Sequence, residues 1–178
     1  MQSRHVVLLL MAVGFLGFGA PCVATSAHAE VAPAARVSVH YQDPHEFTES
    51  REAGFTHEYN HGDYLQRLQK FLIARATPMV APGDHLAITF TNIKLAGGYE
   101  PWLGPRWNDV RFMRNRYPPR FDLNFKLTAA DGQVIREGTR KLVDYSYLMN
   151  SGATGSSDAL RYDKALLARW LSRGPANW

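Results

Sequence analysis

One stretch limits the fold more than any other. It is "RFDLNFKLTAADGQVIREGTRKLVDY", Arg120 to Tyr145. Phe121, Leu123, Phe125 and Leu127 fall at every second position, which is the period of a strand with one apolar face. Asp131-Gly132 is a hairpin turn signal, and "QVIREGTRKLVDY" returns as the partner strand. A lone two-stranded hairpin is marginal in water. The chain must therefore bring further strands beside this one and cover its apolar face. Gly138, inside the returning strand, points to a bulge.

The covering elements can be read upstream and downstream. "VSVHY" alternates Val37, Val39 and Tyr41 and reads as a first strand. "HLAITFTNIKLAGG" places Leu86, Ile88 and Phe90 on one face and Thr89 and Thr91 on the other, a second and longer strand. "DVRFMR" offers a short strand within the irregular segment from Tyr99 to Pro119. "DYLQRLQKFLIARATP" has Leu65, Leu68 and Leu72 at helical spacing, broadened by Phe71 and Ala76. Asp63 with Gln66 gives it a capping-box-like start, and Pro78 ends it. A last helix runs from about Ala159 to Arg173, with Leu160, Tyr162, Leu166, Leu167, Trp170 and Leu171 apolar, before the stop at Gly174-Pro175. Thr48 to Gly62 is polar without clear period. The order predicts an α+β fold: a four- or five-stranded mixed or antiparallel sheet with two helices packed on one face.

The first residues carry a different signal. Arg4 precedes "VVLLLMAVGFLGFGA", an uncharged apolar run from Val6 to Ala20, and Ala27-His28-Ala29 has the small-x-small form of a cleavage site. This is the layout of a secretory signal peptide, and the run is short for a membrane helix. The rivals are an uncleaved anchor, or lipidation at Cys22, which Pro21 disfavours. The expected organisation is a cleaved leader at 1–29, a flexible Pro-containing segment at 30–36 and one globular domain at 37–174. The expected location is the periplasm or the exterior, with no membrane span after cleavage. Cleavage would leave 149 of 178 residues and remove the single cysteine. The mature core would then hold without disulfides, and thiol chemistry is excluded. A net charge of +4, of which Arg4 supplies one, gives no reason to expect nucleic acid.

Three constellations bear on chemistry. "HEYNH" spells H-E-x-x-H, in which His57 and His61 would bind zinc and Glu58 would act as base. The motif needs a helix running across both histidines, yet Gly62 and the cap at Asp63 follow them. The longer form of the motif wants a glycine and a third histidine, where this chain has Tyr64 and Arg67. A polar segment with two solvated histidines is the simpler reading. His40, His45 and His85 are expected to be structural or exposed. "YEPWLGPRWNDVRFMRNRYPPR", Tyr99 to Arg120, interleaves aromatics with five arginines. Trp102, Trp107, Arg111, Arg114 and Arg116 are the candidate ligand-binding residues, since guanidinium forks hold phosphate or carboxylate and exposed tryptophans stack on rings. The bland alternative is an ordered loop with its arginines paired to Glu100 and Asp109. In "KLVDYSYLMN", Asp144 is expected to brace a turn, while Tyr145 or Tyr147 could face a ligand. No nucleophile–base pair, phosphate loop or paired-carboxylate pattern stands out, and no cofactor is implied.

Several segments together resemble a known family. "VSVHYQDPHEFT", "IKLAGGYEPW", "DVRFMRNRYPPR", "LTAADGQVIREG", "LVDYSYLMN" and "LRYDKALLARW" stand in the order typical of the bacterial family catalogued as domain of unknown function 3016. The resemblance spans about Val37 to Trp170. It implies a small exported protein with no established activity, no assigned cofactor and no catalytic residues to carry over. The functional expectation is a non-enzymatic module that binds an anionic ligand or an envelope partner. The alternative is a zinc-dependent hydrolase using the HEYNH segment.

Overall fold

A computed structural model of the chain describes residues 36–53, 63–149, 153 and 155–178. Its nine regular elements among those residues are β1 (Val37–Tyr41), α1 (Thr48–Ala53), α2 (Asp63–Ala76), β2 (His85–Lys94), β3 (Gly98–Tyr99), β4 (Arg111–Phe112), β5 (Arg120–Thr128), β6 (Val134–Val143) and α3 (Arg161–Leu171). The main sheet has the order β1-β2-β5-β6, and β3 pairs with β4 in a separate two-stranded ribbon. β1 runs parallel to β2, while the β2–β5 and β5–β6 pairs are antiparallel. The expected mixed sheet of an α+β fold is what forms.

The alternation of the strands decides which face is dry. Leu86, Ile88 and Phe90 of β2, with Phe121, Leu123, Phe125 and Leu127 of β5, join Val37 and Val39 in one buried cluster. Leu68, Leu72 and Ala76 of α2 and Leu166, Leu167, Trp170 and Leu171 of α3 complete it, so both helices bury their apolar stripes in the same core. The intervening residues Thr91, Asn124, Lys126 and Lys141 are exposed on the other face. Burying a Leu, Ile or Phe contributes about 1.5–3 kcal/mol each.

Two irregularities shape the rest. β2 bulges against β5 between Phe90 and Asn92. The extra residue lets Phe90 and Ile93, three apart, both enter the core. It also frees the Asn92 side chain, whose Oδ1 accepts the Thr48 N–H at 2.8 Å and so receives the start of α1. The sequence showed no period over α1, because six residues are too few to display one and the capping group comes from a distant strand. The second irregularity corrects an expectation. Gly138 is not a bulge: it pairs in register with Phe125, and the shift lies at Leu127/Thr128 beside the turn. A Cβ at Gly138 would stand 3.3 Å from the Phe125 ring, so the glycine makes room for that ring at the sheet edge.

Beyond α3, a 3-10 turn at Pro175–Asn177 brings Trp178 into the core. Its Nε1 donates to the Leu171 carbonyl at 3.0 Å, and Arg140 of β6 donates to its main-chain oxygen.

Candidate functional site

After the bulge, β2 continues past the sheet into a lobe spanning Gly97 to Tyr117. Gly97 turns the chain with φ +85°, and a Cβ there would lie 2.9 Å from both Arg111 Cγ and Met113 Sδ. Gly98 pairs with Phe112, and a Cβ on it would meet the Tyr117 ring at 2.9 Å. The lobe needs both glycines because side chains press directly on this backbone.

Charge is buried where the lobe meets the domain. Glu49 of α1 accepts the Leu95 N–H at 2.9 Å and pairs with Arg111 of β4. Arg111 also donates to the Ala96 carbonyl at 3.2 Å and lies over the Tyr99 ring at 4.7 Å. Lys94 is buried, with Nζ donating to the Gly97 carbonyl at 2.8 Å and paired to Glu52 at 3.0 Å. Asp163 of α3 is fully enclosed and accepts the Ala96 N–H at 2.9 Å. Burial pushes the Asp163 carboxyl up to about 7, reinforced by the charge of Glu49 and offset by the Ala96 hydrogen bond and Arg111. Four consecutive residues, Lys94 to Gly97, are thus gripped from α1, α3 and β4.

A second buried carboxylate organises the outer lobe. Glu100 is enclosed, yet Arg114 reaches it at 2.9 Å, Arg116 pairs with it, and the Tyr117 hydroxyl donates to it at 3.0 Å. Burial alone would raise its carboxyl; the hydrogen bonds from Arg116 and Tyr117 and the charge of Arg114 hold it below the usual range.

The five candidate residues do not converge on one point. Trp102 is 66% exposed on a 3-10 turn, with the Arg116 guanidinium 5.9 Å from its ring. Trp107 is half-buried and tilted against Phe112 at 5.9 Å. Arg114 and Arg116 remain about half exposed while sharing Glu100, so the expected Glu100 pairing forms. Arg111 faces inward to Glu49. Two clefts meet at Tyr99. One, of about 510 Å³, is walled by Glu52, Gly98, Tyr99, Pro101, Trp102, Asn108 and Tyr117. The other, of about 610 Å³, is lined by Tyr64, Leu95, Tyr99, Arg111, Met113 and Asp163 among others.

In the "KLVDYSYLMN" segment Asp144 accepts the Ser146 N–H at 3.1 Å and pairs with Arg169, which is the expected turn brace. Tyr147 is buried, its hydroxyl donating to the Arg114 carbonyl at 2.9 Å, and Tyr145 is exposed. His40 and His45 are exposed and His85 is half-buried. His57, Glu58 and His61 lie outside the described residues. Among the described residues, no three His, Cys, Asp or Glu side chains gather as metal ligands. Sequence reasoning missed Glu49, Lys94 and Asp163. Only Asp163 left a signal: it stands three and four residues before Leu166 and Leu167, on the apolar stripe of α3.

These features define a small α+β domain with an aromatic, arginine-rich lobe pinned to its sheet by buried charges. The chain belongs to the family described as protein of unknown function (DUF3016), whose family model matches residues 35–173. No curated protein and no solved structure matches it significantly.

Proposed function

We propose that the protein is an exported, non-enzymatic binding module whose ligand lies against the outer lobe. The observation that carries this is Trp102: a large aromatic ring 66% exposed at the wall of a 510 Å³ cleft, beside the Arg116 guanidinium. Leu103 on the same turn is exposed as well, and an exposed apolar patch rimmed by polar groups favours a contact made outside the chain. Tyr99 and Tyr117 supply further flat apolar walls, and Arg114 and Arg116 supply two cations against one carboxylate. That pairing suits a ligand with a ring face and an anionic group, such as a phosphorylated sugar of the cell envelope. The apolar leader and the Ala27-His28-Ala29 site support export.

The test is a titration of the chain with a glucosamine phosphate, followed by tryptophan fluorescence. Saturable quenching is expected, lost in Trp102→Ala and weakened severalfold in Arg114→Ala, with Trp107→Ala closer to wild type. Equal binding by all three variants would remove this surface from consideration. Intact mass of the protein recovered from the periplasmic fraction checks cleavage after Ala29.

A further inference from the structure

The exposed apolar groups of the lobe are not confined to the cleft. Leu103, next to Trp102 on the same 3-10 turn, is 44% exposed, and Val110 is 38% exposed. Arg106 is exposed on the next turn, with its guanidinium 5.2 Å from the Trp107 ring. The lobe also carries charge at its surface. Arg106, Arg114 and Arg116 are exposed there against Glu100 and Asp109, an excess of one positive charge, while Arg111 is paired inward to Glu49. An exposed tryptophan and leucine, with the Arg116 guanidinium 5.9 Å from the indole and Arg106 exposed on the next turn, is the composition of a surface that meets lipid headgroups. The indole settles at the interface, the aliphatic side chain enters the acyl boundary, and the guanidiniums face anionic phosphates.

We propose that the Trp102–Leu103 turn is a membrane-docking tip, and that its partner is the surface of an anionic phospholipid bilayer. Trp102 and Leu103 insert, while Arg106, Arg114 and Arg116 face the headgroups. A soluble phosphorylated sugar would use Trp102 and the cleft but would have no use for Leu103 or Arg106, which point to a broad, flat partner. Glu100 fits this role: it fixes Arg114 and Arg116 beside the tip and leaves each about half exposed. This proposal rests on the reading that the lobe is the ligand surface, and it names the ligand.

The compact unit Ala34–Trp178 contains the whole described core, so a chain of residues 30–178 serves for the test and avoids the apolar leader. Its partition onto phosphatidylcholine vesicles with and without one-third phosphatidylglycerol is measured by co-sedimentation. Expected is binding to the anionic vesicles alone, a blue shift of tryptophan emission on binding, and loss of binding in about 0.5 M salt, where screening lengths fall to a few ångströms. Arg106→Ala should weaken partition about fivefold, and Leu103→Ala about tenfold, with Trp102→Ala at least as severe. All three residues are at the surface, so the fold is left intact. Equal binding to neutral vesicles, or anionic binding unchanged in Leu103→Ala and Trp102→Ala, overturns the proposal. Binding of glucosamine phosphate without vesicle binding overturns it as well, and leaves the soluble-ligand reading standing. Failure of both arms overturns both readings.

Discussion

Asp163 sits where its charged form is disfavoured. Its carboxyl is enclosed in the protein, and burial lifts it from an ordinary 3.8 to about 7. The folded state therefore holds that proton more tightly than the unfolded state does. Below pH 4 both states are protonated and the group contributes nothing. As pH rises from about 4 to 7 the unfolded chain releases the proton first, so stability falls; above about 7 both are ionised and the loss stays constant. That rise is on the order of 4 kcal/mol. Asp163→Asn keeps an oxygen for the Ala96 N–H and cannot ionise. Its stability relative to wild type should climb between pH 4 and 7 and then level off, as read from urea midpoints across that range. A difference that does not vary with pH would show that the carboxyl pays no burial penalty. Glu100 has the opposite sign: its lowered carboxyl stabilises above the usual carboxylate range, and that support is lost as pH falls. The two carboxylates should make the lobe respond differently to acid and to neutral conditions.

At the level of elements, the β3–β4 ribbon is two residues per strand and cannot stand on its own pairing. It holds because Gly97 lets Arg111 and Met113 close over the turn, while Glu49 holds Leu95, Asp163 and Arg111 hold Ala96, and Lys94 holds Gly97. Gly97→Ala would add left-handed backbone strain and a Cβ 3.0 Å from the Phe112 carbonyl oxygen, a group that cannot move aside cheaply. A loss of about 1–3 kcal/mol is expected from the strain alone. Hydrogen exchange of the Tyr99 and Arg111 amides should speed up more than that of β5; uniform change across the sheet would mean the lobe is not a separate local unit. The same element shows how far the sequence could be read. β1, β2, β5, α2 and α3 were legible because each buries a full face and so repeats an apolar residue at its own period, whereas β6 was legible from the Asp131-Gly132 turn that returns the chain beside β5. α1 and β3 were not, since neither is long enough to show a period. The site followed the same rule. The aromatic and arginine content of the lobe was plain, but the partners that orient it lie far away in sequence: Glu49 is 62 residues from Arg111. The expected bulge at Gly138 failed for a related reason, because what the glycine accommodates is Phe125 on the neighbouring strand.

For the whole molecule, the question is what closes the core at the β6 edge. β6 is exposed along most of its length, and its inward positions carry Arg136, Gly138, Arg140 and Leu142 opposite Leu127 to Phe121 of β5. Inward charges on an edge strand discourage pairing with another chain, but they leave the core open on that side. The C-terminal turn fills the gap. Arg136 donates to the Ala176 carbonyl at 2.5 Å, Arg140 to the Trp178 main-chain oxygen, and the Trp178 ring lies 6.1 Å from that of Trp170. The tail thus converts two charges that would face the core into hydrogen-bonded anchors and places a fully buried indole behind them. Trp178→Ala should cost about 3–5 kcal/mol, the range for removing a large aromatic from a core. The urea midpoint should drop with little change in the slope of the transition, if the remaining core still unfolds as one unit. Arg140→Ala should cost less, because the Trp178 Nε1 bond to Leu171 remains. A Trp178→Ala protein as stable as wild type would show that the tail only covers the core and does not complete it.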